Sequence, residues 1–261
     1  MSRVNSLFAR LRKEVRCGLI AYITCGDPDS QTTVRIIEAL KDAGADAIEL
    51  GIPFSDPIAD GPVIQAASQR ALANGTKIDD VFAIARQIRG VPLIAFSYLN
   101  PILRFGFESF AKRALSAGID SVLITDLPVE ESADVKSKLG KLKTVFLLAP
   151  TSTSTRIAAV NRASDDFIYY VSTTGVTGAR KELDPALLAR LDEVRKKVTK
   201  PLAVGFGISE HAHYEALRDR CDAIVVGSAI VRAVSDGDTA GAPDRAAAVV
   251  RRILDNRSPA S

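Results

Sequence analysis

Tryptophan is absent from the 261-residue chain, methionine occurs once, and histidine only twice. His211 and His213 are two apart, which on a helix turns them in different directions. A helical metal pair needs a spacing of three or four, so ordinary helix surface is the expectation for both. Cysteine is scarce too: Cys17, Cys25 and Cys221 form no CxxC or other metal-ligand spacing. An odd number of cysteines without a secretory signal reads as reduced thiols in a cytoplasmic protein. No segment approaches the roughly 20 apolar residues that cross a bilayer, which argues against a membrane protein. The net charge of +3 is spread over well-mixed Lys and Arg without a basic block. Nucleic acid would select a cationic stripe interleaved with aromatics, and none is present. Dispersed charge fits an ordinary solvated surface or a small anionic ligand. No Pro/Gly/Ser linker interrupts the interior, so residues 1–261 are expected to form a single domain.

What is present is an ordinary globular composition, 47% hydrophobic and 25% charged. The first stretch, "MSRVNSLFARLRKEVR", is amphipathic, with Leu7, Phe8 and Leu11 on one side. With acidic Glu14 and no long apolar run, it reads as a docking helix and not as a targeting segment. Short β-rich runs then alternate with helical patterns. Candidate strands are 18–25, 46–53, 93–98, 121–125, 143–149, 167–172, 202–207 and 223–229. Helical segments include 31–43, 106–117, 130–140, 185–198 and 209–218, with two more, 63–74 and 78–88, after the second strand. Repeated strand–helix order calls for parallel strands with crossover helices. Eight units in about 250 residues match a closed (β/α)8 TIM barrel, here with an extra N-terminal helix and short helices in the βα loops. An open doubly wound sheet is the competitor, but "TCGDPDS" after the first strand is no glycine fingerprint.

The second strand carries an anomaly. In "AIELGIPFSDPIADGP" (47–62), Ile48, Leu50 and Ile52 form an apolar row, so Glu49 and Gly51 point the other way, into a barrel. Desolvation there would raise the carboxyl pKa towards neutrality, where it can exchange protons. A structural Glu bonded to a neighbouring Ser, Thr or Tyr fits the same spacing. The following loop is stiffened by Pro53, Pro57 and Pro62. Asp60 within it is either turn chemistry or an acid held above the barrel mouth, the end where this fold keeps its sites.

Strand seven ends in "GFGIS" (205–209) and strand eight in "VGSAIV" (226–231). Glycine turns at those two strand ends, both opening helices, suit a phosphate, with Ser228 as N-cap; plain left-handed turns are the alternative. The long stretch "STTGVTGARKELD" (172–184) after strand six suits a lid, or else a disordered connector.

Together these segments resemble the α subunit of tryptophan synthase over essentially the whole chain. "ELGIPFSDPIADGP" is joined in order by "AYITCGDPD", "IQAASQRAL", "FSYLNPILRFG", "ITDLPVEE", "LLAPTST", "YYVSTTGVTGAR", "VGFGIS" and "VGSAIV". The resemblance implies a lyase that splits indole-3-glycerol phosphate into indole and glyceraldehyde 3-phosphate, without a cofactor of its own. It makes Glu49 the acid–base group and Asp60 the partner of the indole N–H. It places Tyr22, Tyr98 and Tyr169 around the substrate ring, Tyr169 near Glu49, and adjacent Tyr170 leaves that register open. Thr177 becomes the lid residue that meets Asp60, and Gly178, Gly207, Gly227 and Ser228 fall on phosphate-binding positions. Two departures are Tyr22, often phenylalanine in relatives, and Val63, often threonine. The implied partner is a pyridoxal-phosphate-dependent β subunit in an αββα complex, contacted through 53–60 and 173–184 and receiving indole through a tunnel. Rival readings are a stand-alone lyase, a phosphate-binding barrel isomerase or epimerase, and a non-catalytic activator.

Overall fold

The computed structural model describes residues 2–171, 183–205 and 207–254. The chain opens with α1 (Arg3–Lys13), β1 (Gly18–Thr24), α2 (Ser30–Asp42), β2 (Ala47–Gly51), α3 (Pro62–Ala73) and α4 (Ile78–Ala85). It continues through β3 (Leu93–Ser97), α5 (Leu99–Phe105), α6 (Phe107–Ser116), β4 (Ser121–Ile124), α7 (Ser132–Leu139), β5 (Lys143–Leu148) and α8 (Ser154–Ala163). The last part holds β6 (Ile168–Val171), α9 (Pro185–Arg195), β7 (Leu202–Gly205), α10 (His211–Leu217), β8 (Ala223–Val226), α11 (Ser228–Ser235) and α12 (Ala242–Leu254). Each strand pairs in parallel with the next, and β8 pairs with β1, closing the barrel in sequence order. The alternation read from the sequence is therefore the architecture.

Alternation along each strand splits the core in two. Leu19, Ile48, Leu50, Val122, Phe146, Ile168, Tyr170 and Val204 face outward under the helices. Ile20, Ala47, Ile94, Leu123, Val145, Ala203 and Val225 fill the interior. The interior is open at one end until α1 closes it: Val4, Leu7, Phe8 and Leu11 pack on that inner layer, and Phe8 lies 5.5 Å from Phe167, ring to ring. Burial of that amphipathic face is why the N-terminal stretch is helical, with Ser2 capping it by accepting from the Asn5 N–H at 3.1 Å.

A repeated device joins the strands in pairs at this same end. Asp46, Asp120, Asp165 and Asp222 stand shortly before β2, β4, β6 and β8. Their carboxylates accept the backbone N–H of Leu19 (3.0 Å), Leu93 (3.0 Å), Thr144 (2.9 Å) and Leu202 (2.8 Å), near the start of the preceding strand. Each aspartate's own N–H returns to the carbonyl of the same residue.

Strand ends fall a residue or more short of the sequence reading where Pro and Gly intervene. Strand eight stops at Val226 because Gly227 turns the chain into α11. Ser228 is consequently the first residue of that helix and not its cap; Gly227 holds the cap position. The turn at 205–209 does not open a helix directly either, since α10 starts at His211 behind Glu210. His213 also differs from expectation: it is buried, and its Nδ1 accepts the Ser209 N–H at 3.3 Å.

Candidate active site

Glu49 points into the barrel, fully buried, and neither carboxyl oxygen has a hydrogen-bond partner. That excludes the reading in which a neighbouring Ser, Thr or Tyr satisfies it. Burial alone lifts its pKa from the ordinary 4.5 to about 8. In register beside it on β1 is Tyr22, whose ring meets Phe96 edge-on at 5.1 Å. Gly51, two residues further along β2, makes room for that tyrosine: a Cβ there would collide with the Tyr22 ring and hydroxyl. Gly205 does the same on β7 for Tyr169. Tyr169 therefore faces inward and Tyr170 outward, which resolves the register the sequence left open.

Asp60 sits above this layer in the loop after β2, half-buried. Tyr98 fixes it. The Tyr98 hydroxyl donates to Asp60 Oδ2 at 3.1 Å and accepts the Ala59 N–H at 2.9 Å, while its ring lies 5.2 Å from Phe54. Gln65 donates to the Asp60 carbonyl at 2.8 Å. Burial raises the Asp60 pKa to about 6, and the Tyr98 bond holds it below what burial alone would give. Both acids act on the same aromatic walls. Burial and then the Asp60 charge push the Tyr22 phenol up, with a smaller push from Glu49; enclosure and then Glu49 push up Tyr169. Two carboxyl groups with raised pKa values thus border the same tyrosines, one beneath and one at the rim.

The apolar wall beside them comes from Tyr22, Phe96, Val63, Ile64, Ala67 and Val231. Gly227 faces this wall, since a Cβ added there would lie 3.5 Å from Tyr22, so the start of α11 and its free N–H groups lie next to these apolar side chains. Gly207 has φ +60 and open space around it, the left-handed turn that glycine tolerates and a vacancy beside it. Thr177 and Gly178 lie outside the described residues, as does all of the 173–184 stretch except Leu183 and Asp184. Asp184 caps α9 by accepting the Ala186 N–H.

A family model described as tryptophan synthase alpha chain matches residues 8–257. The chain belongs to the tryptophan synthase alpha chain family. A tryptophan synthase alpha chain from Solibacter usitatus is 50% identical over 239 residues, covering 90% of each protein. One from Synechococcus elongatus is 44% identical over 248 residues, 92% of this chain and 93% of the relative. Among solved structures, tryptophan synthase subunit alpha from Legionella pneumophila superposes with a TM-score of 0.90 at 34% identity, covering 98% of this chain and 100% of that one. A Pyrococcus furiosus structure described as a tryptophan synthase α2β2 complex gives 0.87 at 37% identity, covering 91% of this chain and 98% of that one.

Within this alpha chain Phe96 also faces the interior, where strand parity two residues before Tyr98 places it. The Tyr98–Asp60 hydrogen bond had no signal in the sequence, because the two are 38 residues apart. Among the described residues no group of three His, Cys, Asp or Glu could hold a metal ion. None of the described helices is long and apolar enough to cross a membrane.

Proposed function

We propose that the chain is the cytoplasmic α subunit of a tryptophan synthase, in which Glu49 and Asp60 cleave indole-3-glycerol phosphate to indole and glyceraldehyde 3-phosphate. The observation that carries this is the unpartnered, buried carboxyl of Glu49 beside Tyr22 and Tyr169, the two inward tyrosines that Asp60 also acts on. With a pKa of about 8, Glu49 carries its proton at neutral pH. It delivers that proton to indole C3, which breaks the aromaticity and leaves the ring cationic. The charge falls on the ring nitrogen, whose N–H donates to the Asp60 carboxylate. Glu49, now a carboxylate, takes the proton of the side-chain hydroxyl next to C3. The O–H electrons form the aldehyde C=O, the C–C bond breaks, and its electron pair returns to the ring, releasing indole. Glu49 ends protonated, as it began. Two acids whose surroundings separate their roles are a general device.

In this reading Tyr22, Phe96, Tyr98 and Tyr169 line the ring site, and Gly178, Gly207, Gly227 and Ser228 hold the phosphate. The open N-terminus of α11 suits an anion. Thr177 would close on Asp60 from the lid. The chain needs no cofactor of its own for this reaction; pyridoxal phosphate belongs to the β subunit that receives the indole. The β subunit docks over the 53–60 loop, where Ile58 stands exposed, and over 173–184. The chain lacks tryptophan, so indole fluorescence reports the product directly. Purified chain given indole-3-glycerol phosphate should release indole slowly, and faster with a β subunit present. Glu49→Gln and Asp60→Asn should each nearly abolish release. Full activity in Glu49→Gln would overturn the assignment, and high turnover unaffected by a β subunit would make the chain a stand-alone lyase.

A further inference from the structure

Two buried thiols with no part in this chemistry face each other at the barrel's opposite end. Cys17 directly precedes β1, and Cys221 directly precedes Asp222 and β8. Their Sγ atoms are 3.8 Å apart although the residues are separated by 204 positions in sequence. Both are free thiols. The separation is held by the sheet: Gly18 lies opposite Ala223 in the β1–β8 pairing, and the Gly18 N–H donates to the Asp222 carbonyl at 2.9 Å. The Tyr214 hydroxyl pins the other side, donating to the Cys17 carbonyl at 3.2 Å. The S–S bond length is about 2.05 Å, so a movement of under about 2 Å joins the two sulfurs.

We propose that Cys17 and Cys221 are an oxidation site, a dithiol that a peroxide converts into a disulfide stapling the first strand to the last. Cys17 sulfur attacks one peroxide oxygen; the O–O bond breaks, water leaves, and Cys17 becomes a sulfenic acid. Cys221 sulfur then attacks Cys17 sulfur, the S–O bond breaks, and a second water carries off the thiol proton. Two thiols and one hydrogen peroxide give one disulfide and two waters, the thiols losing two electrons. Both cysteines are buried; a cleft of about 830 Å³ beside α1 is lined by Arg16 and by Tyr214, whose hydroxyl bonds the Cys17 carbonyl, but by neither sulfur, so an oxidant must pass the side chains packed between. A small neutral oxidant fits that route better than a bulky disulfide. The neighbouring Cys17 sulfur, then burial, hold the Cys221 thiol above its ordinary range, which suits Cys221 to the second, resolving step. The resulting cross-link spans most of the chain and removes freedom from the unfolded state, closing the barrel seam covalently.

The test treats the full chain with hydrogen peroxide, removes the peroxide, unfolds the chain in denaturant with an alkylating reagent to block remaining thiols, and maps non-reduced peptides by mass spectrometry. The expected result is a single Cys17–Cys221 linked peptide, with Cys25 alkylated. The unfolding midpoint should rise by roughly 5 to 10 °C and return on adding dithiothreitol. A Cys25→Ala chain should behave identically. Cys17 and Cys221 both recovered as alkylated thiols, Cys17 halted at sulfinic acid beside a free Cys221, or a link involving Cys25 would each overturn the proposal.

Discussion

In the folded chain neither carboxyl oxygen of Glu49 finds a donor, whereas water solvates both once the chain unfolds. Unfolded, the group titrates near 4.5; folded, at about 8. Between those values the native state keeps a proton that the unfolded state has released, so this residue makes stability fall as pH rises from about 4.5 to about 8. Glu49→Gln is neutral throughout, and urea unfolding at pH 5 and pH 8 should show it losing less stability over that interval than the parent. Its activity should drop by at least about 100-fold, the lower range for losing a general acid–base group. A variant equally inactive but with an unchanged stability profile would mean that Glu49 is not desolvated. In the proposed reaction Asp60 must be charged to hold the indole N–H, and Glu49 must start protonated. The free-enzyme profile of kcat/KM should therefore be a bell, rising through about pH 6 and falling through about pH 8. Tyr98→Phe removes the hydroxyl that donates to Asp60 Oδ2 and holds its pKa down. The acidic limb should move to higher pH while the basic limb stays in place. If kcat/KM falls uniformly with both limbs unmoved, Tyr98 only packs.

At the scale of strands and helices, the four aspartates before β2, β4, β6 and β8 make a sharper claim than any surface ion pair. Asp120 accepts the Leu93 N–H and also pairs with Arg3 from α1 at 2.8 Å. Removing it leaves a shielded N–H without an acceptor, which costs about 1 to 3 kcal/mol. Asp120→Ala should lower the urea midpoint accordingly. Asp134→Ala, which loses only the exposed pair with Lys138 on α7, should change stability by less than about 0.5 kcal/mol. Equal effects would remove the special status of the clamps. These clamps were illegible in the sequence because each joins residues 20 to 27 positions apart, and nothing local distinguishes Asp120 from a turn aspartate. The strands themselves were legible, since alternation with helical segments and the inward parity of Glu49 depend on neighbours alone. Serine favours the cap position, which points to Ser228, but Gly227 takes it at the point where β8 bends into α11. His213 was read as surface because two-residue spacing says nothing about which face packs.

For the molecule as a whole, the barrel has two ends with separate duties. The aromatic cluster, Glu49 and Asp60 occupy the end where strands run out into loops; α1, the aspartate clamps and the Cys17–Cys221 pair occupy the other. This division matches the general rule for such barrels, chemistry at the C-terminal face and stability at the N-terminal one. Between them lies the inner layer of Ile20, Ala47, Ile94, Leu123, Val145 and Phe167, which α1 covers with Phe8. Ala47 begins the strand that carries Glu49, so loosening the plug has a direct structural route to the acid, through a single strand. The close-packed layer should block that route, because the β1, β2 and β3 ladders hold Glu49 in register on both sides. Phe8→Ala should thus cost roughly 3 to 5 kcal/mol in urea unfolding, as for other buried phenylalanines. Under conditions where the variant is still folded, its kcat/KM and the pH limbs set by Asp60 and Glu49 should match the parent. A loss of stability accompanied by a shifted Glu49 limb would show that the plug governs how dry the acid is, and the two ends of the barrel would have to be treated as one site.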